Sequence, residues 1–257
     1  GFRDQWGGNL DGYLSWVMPR IARLRQLLRP TGSLWIHLDW HAVHEVKVEM
    51  DKLFGRECFI NEIIWSYRTG GVGGKRLARK HDTILFYARG PQYKFHRIRE
   101  RSNLSHKYGF SNAGVLVDQG GPYRMTLMRD VWELPALRGN SPERLPFPTQ
   151  KPLALMRRII ELVTDPGDLV GDFLCGSGTS LQAALELGRL AVGADISPEA
   201  VALTGRRLSG KPQRLESEGD LSQQGIPTPR DLTNKPAQRI RAAQPAPPAH
   251  VCRQWEH

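Results

Sequence analysis

The sequence predicts an α/β fold of Rossmann-like organisation with a mixed, mostly parallel sheet. Three observations carry this. The run "LVGDFLCGSGTS", Leu169 to Ser180, reads as strand, glycine turn and helix, and it opens a β-α-β unit that closes on "RLAVGADI". Upstream, amphipathic helices alternate with runs of β-branched and aromatic residues. The chain has 257 residues, 40% of them hydrophobic, enough for a sizeable core.

Tyr13, Trp16, Val17, Ile21, Leu24, Leu27 and Leu28 recur at three-to-four spacing and predict a helix with one apolar stripe. Pro30 and Gly32 break it. "SLWIHLDW" follows as a strand with Leu34, Ile36 and Leu38 on one face. Ala42 to Phe54 reads as a second amphipathic helix, with Asp39 placed to cap it and Gly55 to terminate it. "CFINEIIWSY" and "DTILFYA" read as strands, and "RTGGVGGKRLARK" between them is too glycine-rich for either regular structure. Gln92 to Leu145 shows no sustained period and predicts an irregular inserted region.

Pro152 to Val163 returns to helical spacing, with Leu153, Met156, Ile159, Ile160 and Val163 on its apolar side. A strand from Leu169 to Leu174, a helix from Gly178 to Leu187, the strand "RLAVGADI" and a helix from Pro198 to Leu208 complete the pattern. Seven of the eighteen prolines lie beyond Leu208, which predicts a disordered tail. The expected divisions are strands and helices over 1–89, an insert over 90–147, a cofactor-binding half over 148–208 and the tail over 209–257.

The net charge is +10, and Arg68 to Lys107 holds eleven Lys/Arg against Asp82 and Glu100. One segment with nearly all the excess positive charge is the footprint of a polyanion partner. Arg68, Lys75, Arg76, Arg79 and Lys80 sit in its glycine-rich loop, where cations meet phosphates. Cys58, Cys175 and Cys252 are far apart, which argues against a disulfide framework or zinc ribbon and fits a cytoplasmic protein. No apolar run is long enough for a membrane helix. Lacking an initiator Met, the chain is expected to begin inside a longer gene product.

Gly176 and Gly178 let the backbone turn sharply against a ligand, and the following helix start favours an anionic group. Asp195 ends the next strand nineteen residues beyond Gly176, the spacing of a carboxylate that accepts from ribose hydroxyls. Leu181 stands where a dinucleotide site needs its third glycine, and a P-loop lysine is missing. These features suit a nucleoside ligand without a bridging pyrophosphate, as S-adenosylmethionine is, and count against a nicotinamide cofactor.

The stretch "PFPTQKPLALMRRIIELVTDPGDLVGDFLCGSGTSLQAALELGRLAVGADIS" closely resembles amino-methylating DNA methyltransferases. "LLRPTGSLWIHLD", "LFGRECFINEIIWSY" and "HDTILFYAR" follow the same family in style and order. The resemblance spans most of residues 1 to 208. It implies an S-adenosylmethionine-dependent methyltransferase fold in the permuted β-type order. Thr149, Gln150, Lys151 and Pro152 would border the cofactor pocket. Asp172, Gly176, Gly178 and Thr179 would form the turn, with Cys175 packed in it, and Asp195 would hold the ribose. Phe173 replaces the family's usual proline.

The family's catalytic tetrapeptide, D-P-P-Y or S-P-P-Y, belongs before "FRDQWGGNLDGYLSW" and is not found in these 257 residues. "GGPYR" and "APPAH" resemble it only in letters, because both are read as lying in irregular, polar surroundings. No catalytic residue is therefore assigned, and one central strand is expected to be missing beside Leu169. Either adenine N6 or cytosine N4 remains open as the target. The partners implied are double-stranded DNA, with a restriction endonuclease of the same system, an N-terminal half carrying the tetrapeptide, or a second copy. The other reading is a non-catalytic module that binds cofactor and DNA and needs such a half. His37, His41 and His44 near Asp39 resemble a metal set, but strand and helix positions keep them from converging, so none is expected.

Overall fold

The structure, a computed structural model, describes residues 9–67, 74–103 and 114–209. Arg68 and the tail from residue 210 lie outside them. The elements are α1 (Leu10–Leu27), β1 (Ser33–Leu38), α2 (Val43–Phe54), β2 (Phe59–Ser66), β3 (His81–Ala88), β4 (Arg99–Asn103), β5 (Leu116–Asp118), β6 (Gly121–Leu127) and β7 (Val131–Glu133). They continue with α3 (Leu153–Val163), β8 (Leu169–Asp172), α4 (Thr179–Glu186), β9 (Leu190–Gly193) and α5 (Pro198–Leu208). The fold is α/β with mixed strand pairing, as expected, but among the described residues most pairs are antiparallel rather than parallel. One sheet runs β1-β3-β2-β7, with β3 antiparallel to both neighbours and β7 parallel to β2. A second, antiparallel sheet runs β4-β6-β5, and β8 and β9 form a parallel pair.

Helix α1 begins a turn before Tyr13 because Asn9 caps it, its side chain accepting from the Gly12 N–H at 3.0 Å. The predicted stripe buries Val17 and Ile21 against Val46 and Met50 of α2 and against Leu38 and Leu85 of the sheet. Gly55 terminates α2 at φ +93, its N–H bonding the Asp51 carbonyl at 3.0 Å. Asp39 does not cap α2. The turn before the helix exposes the His41 N–H first, and the Asp39 carboxylate accepts that at 3.0 Å.

The other sheet face carries Trp35, Ile63, Trp65, Ile84, Phe86 and Trp132 against Leu155 and Leu162 of α3. Ile160 of α3 packs against Ala183 and Ala184 of α4. One helix therefore joins the main sheet to the β-α-β unit.

The region read as irregular holds four short strands among its described residues. Residues 99–127 hold β4, β5 and β6, and β7 joins the main sheet. These strands escape a periodicity search because polar cross-strand contacts hold them. Arg101 pairs with Asp118 and lies over the Tyr123 ring, while Arg129 bonds Glu100 at 3.0 Å. "GGPYR" accordingly follows a strand, with Pro122 and Tyr123 inside β6, contrary to the surroundings expected for it.

Strand β8 stops at Asp172, two residues early, because the chain turns at Phe173 and Leu174. Among the described residues its one partner is β9. Leu169 and Leu190 stay about three-fifths exposed, at 59% and 60%. Parallel strands are normally covered on both faces and flanked on both edges.

Candidate functional site

The glycine turn is built by its own conformational needs. Gly176 and Gly178 have φ of +51 and +70, in the left-handed region where a Cβ is disfavoured. Space forbids side chains as well. A Cβ on Gly176 would lie 2.8 Å from the Phe147 ring, and one on Gly178 would lie 2.6 Å from Thr204. Gly178 caps α4, whose first residue is Thr179.

Two carboxylates brace the turn. Asp195 Oδ2 accepts from the Gly176 N–H at 2.8 Å and its Oδ1 from the Ser197 N–H at 2.9 Å. Asp172 accepts from the Leu174 N–H at 3.1 Å and from the Ser180 hydroxyl. The nineteen-residue spacing thus becomes a contact. Ile196, next to Asp195, is 94% exposed and offers an apolar surface beside the carboxylate. An acid for hydroxyls, an apolar face for a base and a glycine-lined approach fit an adenosine-containing cofactor.

Helix α5 clamps the turn from behind. Thr204 Oγ1 donates to the Gly176 carbonyl at 3.0 Å, and Arg207 donates to the Ser177 carbonyl and the Thr179 hydroxyl, each at 3.0 Å. The Thr179 hydroxyl is therefore engaged within the fold. Cys175 is buried, and burial pushes its thiol pKa up, as for a packing residue rather than a nucleophile.

Phe147, whose ring lies against Gly176, precedes the 149–152 segment. Gln150 is buried and staples its own segment, accepting from the Leu145 N–H and donating to the Glu143 carbonyl, each at 2.6 Å. Thr149 is exposed, and its carbonyl accepts from Lys151 Nζ at 3.1 Å. Pro152 caps α3. Burial pushes the Lys151 ammonium pKa down, against the pull of Asp82 and Asp39. Lys151 thus stands in the field of the C-terminal end of β1.

There a polar cluster forms that sequence spacing did not reveal. His37 Nε2 bonds Asp82 at 3.0 Å, and the Tyr67 hydroxyl donates to the other Asp82 oxygen at 3.1 Å. Burial pushes the Tyr67 pKa up to about 12, with Asp82 adding to it. Burial would raise Asp82 too, but the bonds from His37 and Tyr67 and the Lys151 charge leave it below the usual carboxylate range. The one sequence signal was an aspartate opening an otherwise apolar strand. His41 turns to Asp39 instead, at 2.8 Å.

Burial lowers the His37 pKa, outweighing the opposite pull of Asp82. A histidine whose folded pKa lies below its unfolded value of 6.5 binds fewer protons when folded. Its neutral form stabilises fully above that value and loses effect as pH falls through it. Stability in denaturant titrations should therefore fall as pH drops from 7 through about 6, and His37→Gln should flatten that slope. An unchanged slope removes His37 from the account.

Of the basic loop, Lys75, Arg76 and Arg79 are exposed and Lys80 is half-buried, its carbonyl accepting from the Tyr67 N–H at 2.9 Å. The loop therefore begins β3 beside the polar cluster.

Comparison with known proteins places this geometry. A Type II methyltransferase M.BglII of Bacillus subtilis is 30% identical over 215 residues, covering 79% of this chain and 59% of its own length. The chain thus spans about three-fifths of that relative. The solved structure of the M1.HpyAVI-SAM complex covers 77% of this chain and 84% of its own, with 22% identity and a TM-score of 0.54. That of PvuII DNA methyltransferase (cytosine-N4-specific) covers 80% and 74%, with 17% identity and a TM-score of 0.57. Both share the fold. A family profile described as N6_N4_Mtase, DNA methylase, matches residues 2–206, and the chain belongs to that family.

Proposed function

We infer that the chain holds S-adenosylmethionine and DNA for methyl transfer to an exocyclic amine, adenine N6 or cytosine N4. The observation that carries this is the left-handed Gly176–Gly178 turn braced by Asp195. Asp172, Cys175, Gly176, Gly178 and Thr179 shape the methionine end. Asp195 holds the ribose, and Thr149 to Pro152 border the pocket. The cofactor supplies an activated methyl group. Arg68, Lys75, Arg76, Arg79 and Lys80 hold phosphates, and the insert at 90–147 reads the DNA. The amine attacks directly, with no covalent enzyme intermediate.

The D/S-P-P-Y that would grip the base lies outside these 257 residues, on a preceding segment or a partner chain. The one-sided pairing of β8 and its exposed leucines support that reading. In isolation the chain is then a binding module.

The test is radiolabelled cofactor with unmethylated genomic DNA. The 257-residue chain should bind both and transfer nothing until a segment bearing the tetrapeptide is supplied. Failure to bind the cofactor overturns the reading. Turnover by the chain alone overturns the missing-motif part.

A further inference from the structure

A cavity of about 310 Å³ opens at the root of the insert, where residues 95–98 lead into β4 and residues 127–130 lead out of β6. None of its lining residues belongs to the glycine turn, the polar cluster or the basic loop. Its floor is apolar and closed, since Ile63, Phe86, Trp132 and Leu162 are at most 4% exposed. Four rings form a near-parallel column. Phe95 stacks toward Phe86 at 6.4 Å and 20°, Phe86 on Trp35 at 4.1 Å and 15°, and Trp35 toward Trp132 at 6.3 Å and 26°. Phe95 ends the column and is 47% exposed.

The rim is polar. Asn61, Arg97 and Asp130 line the cavity and are exposed, and among the described residues their side chains have no hydrogen-bond or ion-pair partner. Arg129, the other cation of the rim, is taken by Glu100 at 3.0 Å. Arg97 and Asp130 thus line one cavity with opposite charges and do not pair. This chemistry selects among occupants. Nucleotides and nucleic acids need cations for phosphate and would meet the Asp130 carboxylate as well. A neutral aromatic side chain from a partner protein would fill the slot and leave both charges unmatched. An aromatic α-amino acid matches all three features, with a carboxylate for the guanidinium, an ammonium for the carboxylate and a ring for the column.

We propose that this cavity is a site for a free aromatic α-amino acid. Arg97 takes the carboxylate, Asp130 takes the ammonium and the ring stacks on Phe95. The walls come from β1, β2, β3 and both ends of the insert, so a bound ligand ties the insert to the main sheet. The site is independent of the cofactor and DNA readings above.

The experiment is a ligand-observed NMR titration of the 257-residue chain with L-tryptophan. The expected Kd is about 0.5 mM, ordinary for a ligand of that size. Tryptamine lacks the carboxylate, indole-3-propionate lacks the ammonium and L-leucine lacks the ring, and each should bind at least about tenfold more weakly. Arg97→Gln should bind L-tryptophan no tighter than it binds tryptamine, and Asp130→Asn no tighter than it binds indole-3-propionate. Both side chains are exposed, so the melting temperature should stay at the parent value in each variant. No binding of L-tryptophan up to about 10 mM overturns the site. So does equal affinity for L-tryptophan, tryptamine and indole-3-propionate. An affinity for L-tryptophan that neither variant changes overturns its assignment to this cavity.

Discussion

Asp195→Ala is expected to lower S-adenosylmethionine affinity about a hundredfold, roughly 3 kcal/mol, as measured by calorimetric titration. The carboxylate performs two tasks at once. Each oxygen accepts one backbone N–H, from Gly176 and from Ser197, and so holds the left-handed turn shut. A carboxylate has about four acceptor sites, so each oxygen retains one for a ribose hydroxyl. Alanine removes the brace and the acceptor together and leaves the Gly176 N–H without its charged partner. Asp195→Asn keeps one acceptor and should lose clearly less. The melting temperature of both variants separates loss of binding from loss of fold. Affinity of the alanine variant within about threefold of the parent would remove Asp195 from the cofactor site.

The second large effect falls on stability. Trp132→Ala should cost about 3–5 kcal/mol in denaturant unfolding, the range for emptying a fully buried aromatic site. Trp132 is 2% exposed, its ring centroid is 6.3 Å from that of Trp35, and the Arg158 guanidinium lies 5.4 Å from its ring centre. Its indole N–H donates to the Arg129 carbonyl at 2.7 Å, which alanine leaves without that donor. Trp132 also ties the end of the insert to the main sheet, since β7 pairs with β2 at Trp65↔Trp132. Trp132→Phe keeps most of the volume and should cost less. A loss below about 1.5 kcal/mol for the alanine variant would mean that β7 is peripheral to the core.

Trp132 also marks where sequence reading stopped. Local patterns were legible wherever one face of an element is apolar. Helix α5 begins and ends where Pro198 and Leu208 predicted, and β1 carries Leu34, Ile36 and Leu38 on one face as expected. The antiparallel strands β4, β5 and β6 were not legible. In β4 exposed and covered positions are both polar, in β5 and β6 the apolar Leu116, Val117, Met125 and Leu127 are exposed, and contacts between residues far apart in sequence, such as Arg101 and Asp118, link the strands. A period search registers apolar alternation and passes over paired charges.

The candidate site divides in the same way. By itself the sequence determined the glycine turn, its acid and the basic loop. These depend on short-range rules: glycine alone accepts a positive φ without a Cβ penalty, and a β-α-β unit sets the distance to the next strand end. Only the tertiary structure decided that His37, Tyr67 and Asp82 share one network, that Thr204 and Arg207 clamp the turn, and that Arg79 covers Trp40. Those pairings join residues from fifteen to forty-five positions apart. No spacing rule links such residues, because they meet only through strand register and helix packing, which the whole chain sets together.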